Sequence, residues 1–232
     1  MIVKSYLLIC LLLFIRTECI RAQEPAALMK QIGVKLEKIS DYEADAHFKT
    51  EISFLKVPDA DVKIYYKKPD KIKIKNETGI SLVPKETMSI SLYSLVNSPY
   101  QALDAGTDMV QGIPVRIVRL LPADENNELV LATLYIDTKR LLILKAKTTT
   151  RESGTNEVEL YYGRFLSVGL PDKIVFTFNT QDFKLPKGVT FDYDDGSAKK
   201  KTAETGKSQR GRIEITYQSY LVNKGLEDGV FK

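Results

Sequence analysis

The sequence predicts a mainly β protein with few helices, a sheet-dominated sandwich, barrel or open barrel. Three observations carry this. After Asp41, apolar residues alternate with polar ones at a period of two through most of the chain, as in strands with one buried face. Turn chemistry recurs between those segments at Pro58-Asp59, Lys68-Pro69-Asp70, Glu77 to Gly79, Asp124 to Asn127, Gly154 to Asn156, Leu170-Pro171-Asp172 and Asp194 to Gly196. Only one stretch, ahead of Asp41, carries a convincing helical period.

That stretch runs from Glu24 to Ile39. Ala27, Met29, Ile32, Leu36 and Ile39 recur at three- and four-residue steps, with Leu28 beside them, and Pro25 opens the helix. The first strand face collects Ala44, Ala46, Phe48, Thr50, Ile52 and Phe54, and Val62, Ile64 and Tyr66 form the second. Ile72 and Ile74 follow the Lys-Pro-Asp turn, then Met88, Ile90 and Leu92. The pattern continues through Val115, Ile117 and Arg119; Val130, Ala132, Leu134 and Ile136; Leu142, Leu144 and Ala146; and Val158, Leu160 and Tyr162. Ile174, Phe176 and Phe178, then Ile213, Ile215 and Tyr217, complete it.

Two stretches lack this rhythm. Ser94 to Gly112 has Pro99 and scattered Ala and Gly, with a short helical turn expected at Tyr100 to Ala105. Gly196 to Gly211 holds no apolar residue larger than alanine and reads as a mobile loop.

The first 23 residues have the order of a secretory signal peptide. Lys4 precedes an apolar run from Tyr6 to Ile15, and a small residue, Ala22, closes a polar stretch. The run is shorter than the roughly 20 residues a spanning helix needs. Cleavage is expected near Ala22 or Gln23, and retention as an anchor is the alternative. Neither Cys10 nor Cys19 follows the small residues a lipidation site requires. Both cysteines lie in the leader, so residues 24–232 contain none and form no disulfide. About 210 residues suits one domain with a sizeable core. The leader holds three cations and one anion, which leaves +2 of the whole chain's +4 on the remainder. Such balance, without aromatics interleaved in a basic cluster, argues against nucleic acid.

Chemistry-bearing motifs are sparse. His47 is the single histidine, so neither a histidine metal site nor a triad with a Gly-x-Ser-x-Gly elbow is expected. No dinucleotide or Walker glycine loop occurs. Asp192, Asp194 and Asp195 read as a polar turn leaving a strand. No catalysis, cofactor or metal is expected. The strand faces leave two readings open: a sheet that fills its own core, or one that holds an apolar ligand.

Several pieces fall in the order of a known family. Tyr66-Lys67-Lys68-Pro69-Asp70-Lys71-Ile72-Lys73 resembles a turn of the periplasmic outer-membrane lipoprotein carriers, the LolA-like proteins of the LolA/LolB/RseB superfamily. A leading helix precedes Asp41-Tyr42-Glu43-Ala44, and Leu134-Tyr135-Ile136-Asp137 is similar to the family's strand ending in aspartate. Leu170-Pro171-Asp172-Lys173-Ile174, Phe183-Lys184-Leu185-Pro186 and the tail from Tyr217 to Leu226 resemble its later segments.

The resemblance implies an open, strongly curved antiparallel sheet, an incomplete barrel, with an N-terminal helix and short lid helices. It implies a periplasmic carrier that binds acyl chains of lipoproteins, or other lipids, and shuttles them towards the outer membrane. The alternative is a non-catalytic envelope interaction or lipid-sensing protein of the same fold. A monomer is expected, with an inner-membrane transporter and an outer-membrane acceptor as partners. Phe48, Ile52, Phe54, Ile64, Tyr66, Ile72, Ile74, Met88, Ile90, Leu92, Leu134 and Phe176 are the candidate cavity residues. Lys49 and Lys63 are the candidate positions for the basic residue with which such carriers hold their lid closed.

Overall fold

A computed structural model describes residues 24–52, 58–76, 92–151, 154–179 and 210–231. Helix α1 spans Pro25–Leu36, with proline in its first turn, where a missing N–H costs nothing and φ is already helical. Strands β1 (Asp41–Glu51), β2 (Ala60–Lys67) and β3 (Lys71–Asn76) follow, then a short helix α2 (Leu92–Asn97). Strands β4 (Tyr100–Val110), β5 (Ile113–Pro122), β6 (Leu129–Asp137), β7 (Leu142–Thr150), β8 (Gly154–Tyr161), β9 (Lys173–Asn179) and β10 (Arg210–Val222) are the later strands among the described residues.

The ten strands form one antiparallel sheet in the order β3-β2-β1-β10-β9-β8-β7-β6-β5-β4. Its ends, β3 and β4, do not pair with each other. The architecture is therefore an open curved sheet with few helices, as the sequence and its resemblance imply.

One face carries the core in two halves. Leu28, Met29 and Ile32 of α1, with Leu95 and Val96 of α2, pack on Val118, Leu120, Ala132, Leu134, Ile136, Ile143 and Ala146. The other half gathers Ala44, Ala46, Phe48, Val62 and Ile64 with Phe176, Phe178, Ile213, Ile215 and Tyr217. Gly33 lets the helices meet: a Cβ there would lie 3.0 Å from Oδ1 of Asn97.

Buried aspartates fix the ends of this assembly. Asp41 accepts hydrogen bonds from the Lys224 and Gly225 amides at 2.9 and 3.1 Å, tying the tail beyond β10 to the start of β1. Asp137 accepts the Lys139 and Arg140 amides at 2.9 and 3.2 Å. Lys35 of α1 donates to the Arg140 carbonyl at 2.7 Å, so the β6–β7 turn holds the helix against the sheet.

Several sequence expectations are corrected. Leu92 opens a helix rather than continuing a strand, whereas Met88, Ile90 and the leader lie outside the described residues. Tyr100 to Ala105 is strand, not helical turn. The alternation there is hidden because β4 is a largely exposed edge strand, with a bulge between Asp104 and Thr107 around Gly106 at φ +90°. On β5, Val118 and Leu120 meet the helices, not Val115, Ile117 and Arg119; the strand is apolar in both phases. A bulge opposite Tyr135 and Ile136 brings Ile143, rather than Leu144, to the face of Ala146. Another irregularity leaves Val130 exposed. Gly154 and Asn156 belong to strand β8 rather than to a turn, and Arg210 and Gly211 open β10 rather than closing a loop.

Candidate functional site

Between the sheet and the end of α1 lies an apolar cavity of about 200 Å³. Its floor is sheet: Phe48 of β1, Val158 and Leu160 of β8, Ile174 and Phe176 of β9, and Ile213 and Ile215 of β10. Alternation places these side chains on one face. Leu36 and Ile39 close it from the end of α1, and Leu92 and Tyr93 from α2. Gly169, Leu170 and Pro171 of the β8–β9 connection, with Tyr66 and Ile72 of β2 and β3, form the remaining walls.

An aromatic cluster stands at one end. Tyr42 stacks on Tyr66 with ring centroids 5.0 Å apart and meets Tyr220 edge-on at 5.3 Å. Tyr220 stacks on Tyr217 at 4.8 Å and meets Phe165 edge-on at 4.8 Å. Tyr217 and Tyr220 share this side although they lie three positions apart, an odd step that regular alternation would place on opposite faces. The register slips between Asp45 and Ala46, which face Ser219 and Tyr217, so Gln218 is a bulge that turns both rings inward. Burial pushes the Tyr217 phenol up to about 12 and raises those of Tyr42, Tyr162 and Tyr220.

A polar clasp sits at the rim. Glu37, just past α1, receives Lys68 Nζ at 2.6 Å on one carboxylate oxygen and the Tyr93 hydroxyl on the other. Lys68 Nζ also donates to the Glu37 carbonyl at 3.2 Å and lies 5.6 Å above the Tyr93 ring. These hydrogen bonds, first from Lys68 and then from Tyr93, hold the Glu37 carboxyl below its ordinary value and raise the Lys68 ammonium and the Tyr93 phenol. Three separate pieces, α1, α2 and the β2–β3 turn, thus meet in one ion pair beside Leu36, Tyr66 and Leu92.

Of the residues singled out from the sequence, Phe48, Tyr66, Ile72, Leu92 and Phe176 line the cavity. Ile64 and Ile52 are packed within the β1–β2–β9–β10 cluster and Ile74 against it. Leu134 lies under α1. Phe54, Met88 and Ile90 are outside the described residues. Lys49 and Lys63 project from the opposite face, where they pair with Glu51 at 3.0 Å and Glu43 at 2.7 Å. Neither reaches the helices; Lys68, in the turn, does. His47 also faces away, its Nδ1 2.8 Å from Asp61. Among the described residues no group of three His, Cys, Asp or Glu could hold a metal.

No family model and no curated protein matches this chain. Solved structures do. A putative outer membrane lipoprotein-sorting protein domain from Vibrio parahaemolyticus matches with a TM-score of 0.53 at 13% identity, over 90% of this chain and 97% of its own. A LolA superfamily protein from Nitrosomonas europaea matches with a TM-score of 0.54 at 10% identity, over 88% and 97%. A DUF1329 family protein from Desulfovibrio piger matches at 0.52 and 12% identity, over 90% and 97%. The chain has the fold of LolA-superfamily structures.

Proposed function

We propose that this protein is a carrier that takes up the acyl chain of a lipoprotein, or of another lipid, between its sheet and its helices. The observation that carries the reading is the cavity: apolar, with no charged residue in its described walls, and closed by an ion pair at its rim. Each methylene moved from water into it contributes about 0.8 kcal/mol, so a run of five contributes about 4 kcal/mol. That suits holding and release better than a few strong polar anchors would. Phe48, Tyr66, Ile72, Leu92 and Phe176 contact the chain. A cavity of about 150 Å³ admits benzene; one of about 200 Å³ takes a short segment, and a longer chain requires α1 and α2 to move off the rim.

In this reading residues 24–232 act as one exported domain in the periplasm, receiving cargo at an inner-membrane transporter and delivering it to an outer-membrane acceptor, with no catalytic step. The fold shared with a lipoprotein-sorting domain supports the proposal. Native mass spectrometry of the purified protein, paired with uptake of a fluorescent fatty acyl probe, tests it. Bound lipid and saturable uptake are expected. A protein that is free of lipid and indifferent to the probe would overturn the carrier reading.

A further inference from the structure

Most of the cavity wall is hydrocarbon, and the hydroxyls of its tyrosines are the exception. The hydroxyls of Tyr42, Tyr217 and Tyr220 interact with one another, and all three residues line the cavity. Tyr220 commits its proton to the Pro171 carbonyl at 3.0 Å. Tyr162, elsewhere on the wall, commits its own to the Ile143 carbonyl at 3.1 Å. Tyr42 and Tyr217 hydrogen-bond to each other; a phenol both gives and accepts a hydrogen bond, so this pair can exchange its mutual bond for one to a ligand.

The same wall offers nothing to an anion. No Lys, Arg or His lines the cavity among the described residues. The cations close by are already held: Lys68 at the rim by Glu37 at 2.6 Å, Lys35 by the Arg140 carbonyl at 2.7 Å, and Arg164 by Asp172 at 3.1 Å and the Tyr217 carbonyl at 2.7 Å. Burial keeps the phenols protonated, so the site is neutral at any physiological pH. Hydrogen-bond donors of this kind stabilise an uncharged polar group brought in with a chain, while a carboxylate entering there loses its water without gaining a counter-charge.

We propose that the cavity selects its ligand by head group: it takes an apolar chain bearing an uncharged hydrogen-bonding group, an alcohol, ester or amide, and turns away the matching carboxylate. This rests on the carrier reading above and adds a specificity to it. Tyr217 and Tyr42 supply the hydrogen bonds, and the bulge at Gln218 is what turns Tyr217 to the side of the sheet that carries Tyr42 and Tyr220.

The test is displacement of uncharged phenylnaphthylamine from the purified protein by dodecanol, methyl dodecanoate, dodecane and dodecanoate. Dodecanol and the ester are expected to displace the probe at least about tenfold more strongly than dodecanoate at pH 8. The gap should close as pH falls and the acid is neutralised. Dodecanoate binding as tightly as dodecanol at pH 8 overturns the head-group selection and leaves the carrier reading standing. Failure of the probe and of every competitor overturns both. In Tyr217→Phe the preference for dodecanol over dodecane, each read as displacement of the probe from the same folded variant, is expected to disappear, with Tyr42→Phe as the second variant should the first fail to fold. Full preference retained in the folded variants overturns the assignment of these hydroxyls.

Discussion

Lys68 Nζ and Glu37 Oε2 lie 2.6 Å apart across 31 residues of sequence, and this contact joins the end of α1 to the β2–β3 turn over the cavity rim. An exposed ion pair adds little to global stability, but here it opposes a local motion rather than global unfolding. Lys68→Met is therefore expected to leave the thermal midpoint nearly unchanged and to speed release of a bound acyl probe several-fold. Stopped-flow release measures this; an unchanged rate would show that the clasp does not limit exchange.

The clasp also predicts a pH dependence with a definite sign. Hydrogen bonds from Lys68 and Tyr93 depress the Glu37 carboxyl. A depressed carboxylate contributes fully above its unfolded value of about 4.3 and loses that contribution as pH falls through its lower folded value. Release rates are expected to be flat between pH 5 and 8 and to rise only below the ordinary carboxylate range. In Glu37→Gln the acid-induced rise should disappear and the neutral-pH rate should already be high. A wild-type profile that rises between pH 5 and 8 would point to another group.

Residues of one sheet face divide into packing and lining, and the two should respond differently. Leu134, fully buried beneath α1, is expected to cost about 2–5 kcal/mol on substitution by alanine, with probe affinity per folded molecule unchanged. Ile72 lines the cavity and is only partly buried. Ile72→Ala should cost less than about 2 kcal/mol of stability and weaken binding by up to about tenfold. Denaturant titration and probe titration of both variants separate the roles. Equal losses of affinity would mean that the boundary between core and cavity is misplaced.

Alternation made Phe48, Tyr66, Ile72 and Phe176 legible as inward residues, because a half-buried sheet repeats every two residues. The same rule selected Ile64 and Leu134, which are packed rather than lining: periodicity fixes a side chain's face, not whether the space above it holds another side chain. Tyr217 and Tyr220 were not legible as a pair, since the bulge at Gln218 breaks the period between them. Glu37 and Lys68 each appear in the sequence as an ordinary surface charge. Their contact exists only once α1 lies across the sheet, a long-range consequence of Leu28, Met29 and Ile32 packing on β5 to β7.

His47 gives a stability prediction on the opposite face. Its hydrogen bond with Asp61, aided by Asp59, raises its pKa despite partial desolvation. A raised histidine contributes fully below its unfolded value of about 6.5, and the contribution fades as pH rises through the folded value. With the ring well exposed, the effect is about 0.2–1 kcal/mol. The stability gap between the protein and His47→Gln should therefore be larger at pH 5.5 than at pH 9. Urea titrations at both values check it, and a gap that grows with pH would contradict the ion pairs.

Gly211 shows how closely the sheet is packed behind the cavity. It pairs with Phe178 across β9 and β10, and a Cβ at this position would fall 2.4 Å from the Cζ of that ring. Phe178 in turn stacks on Phe176 at 5.6 Å, and Phe176 lines the cavity. Gly211→Ala must push the first ring, and the second is stacked on it. Overpacking of this kind costs about 1–3 kcal/mol, and part of the displacement is expected to appear as weaker probe binding. Gly229→Ala, where a Cβ meets nothing within 4 Å, should change neither. Matched stability and binding measurements on the two variants decide the matter: a Gly211→Ala protein as stable and as retentive as the parent would mean that the ring can leave its place freely, and that the floor of the cavity is softer than its packing indicates.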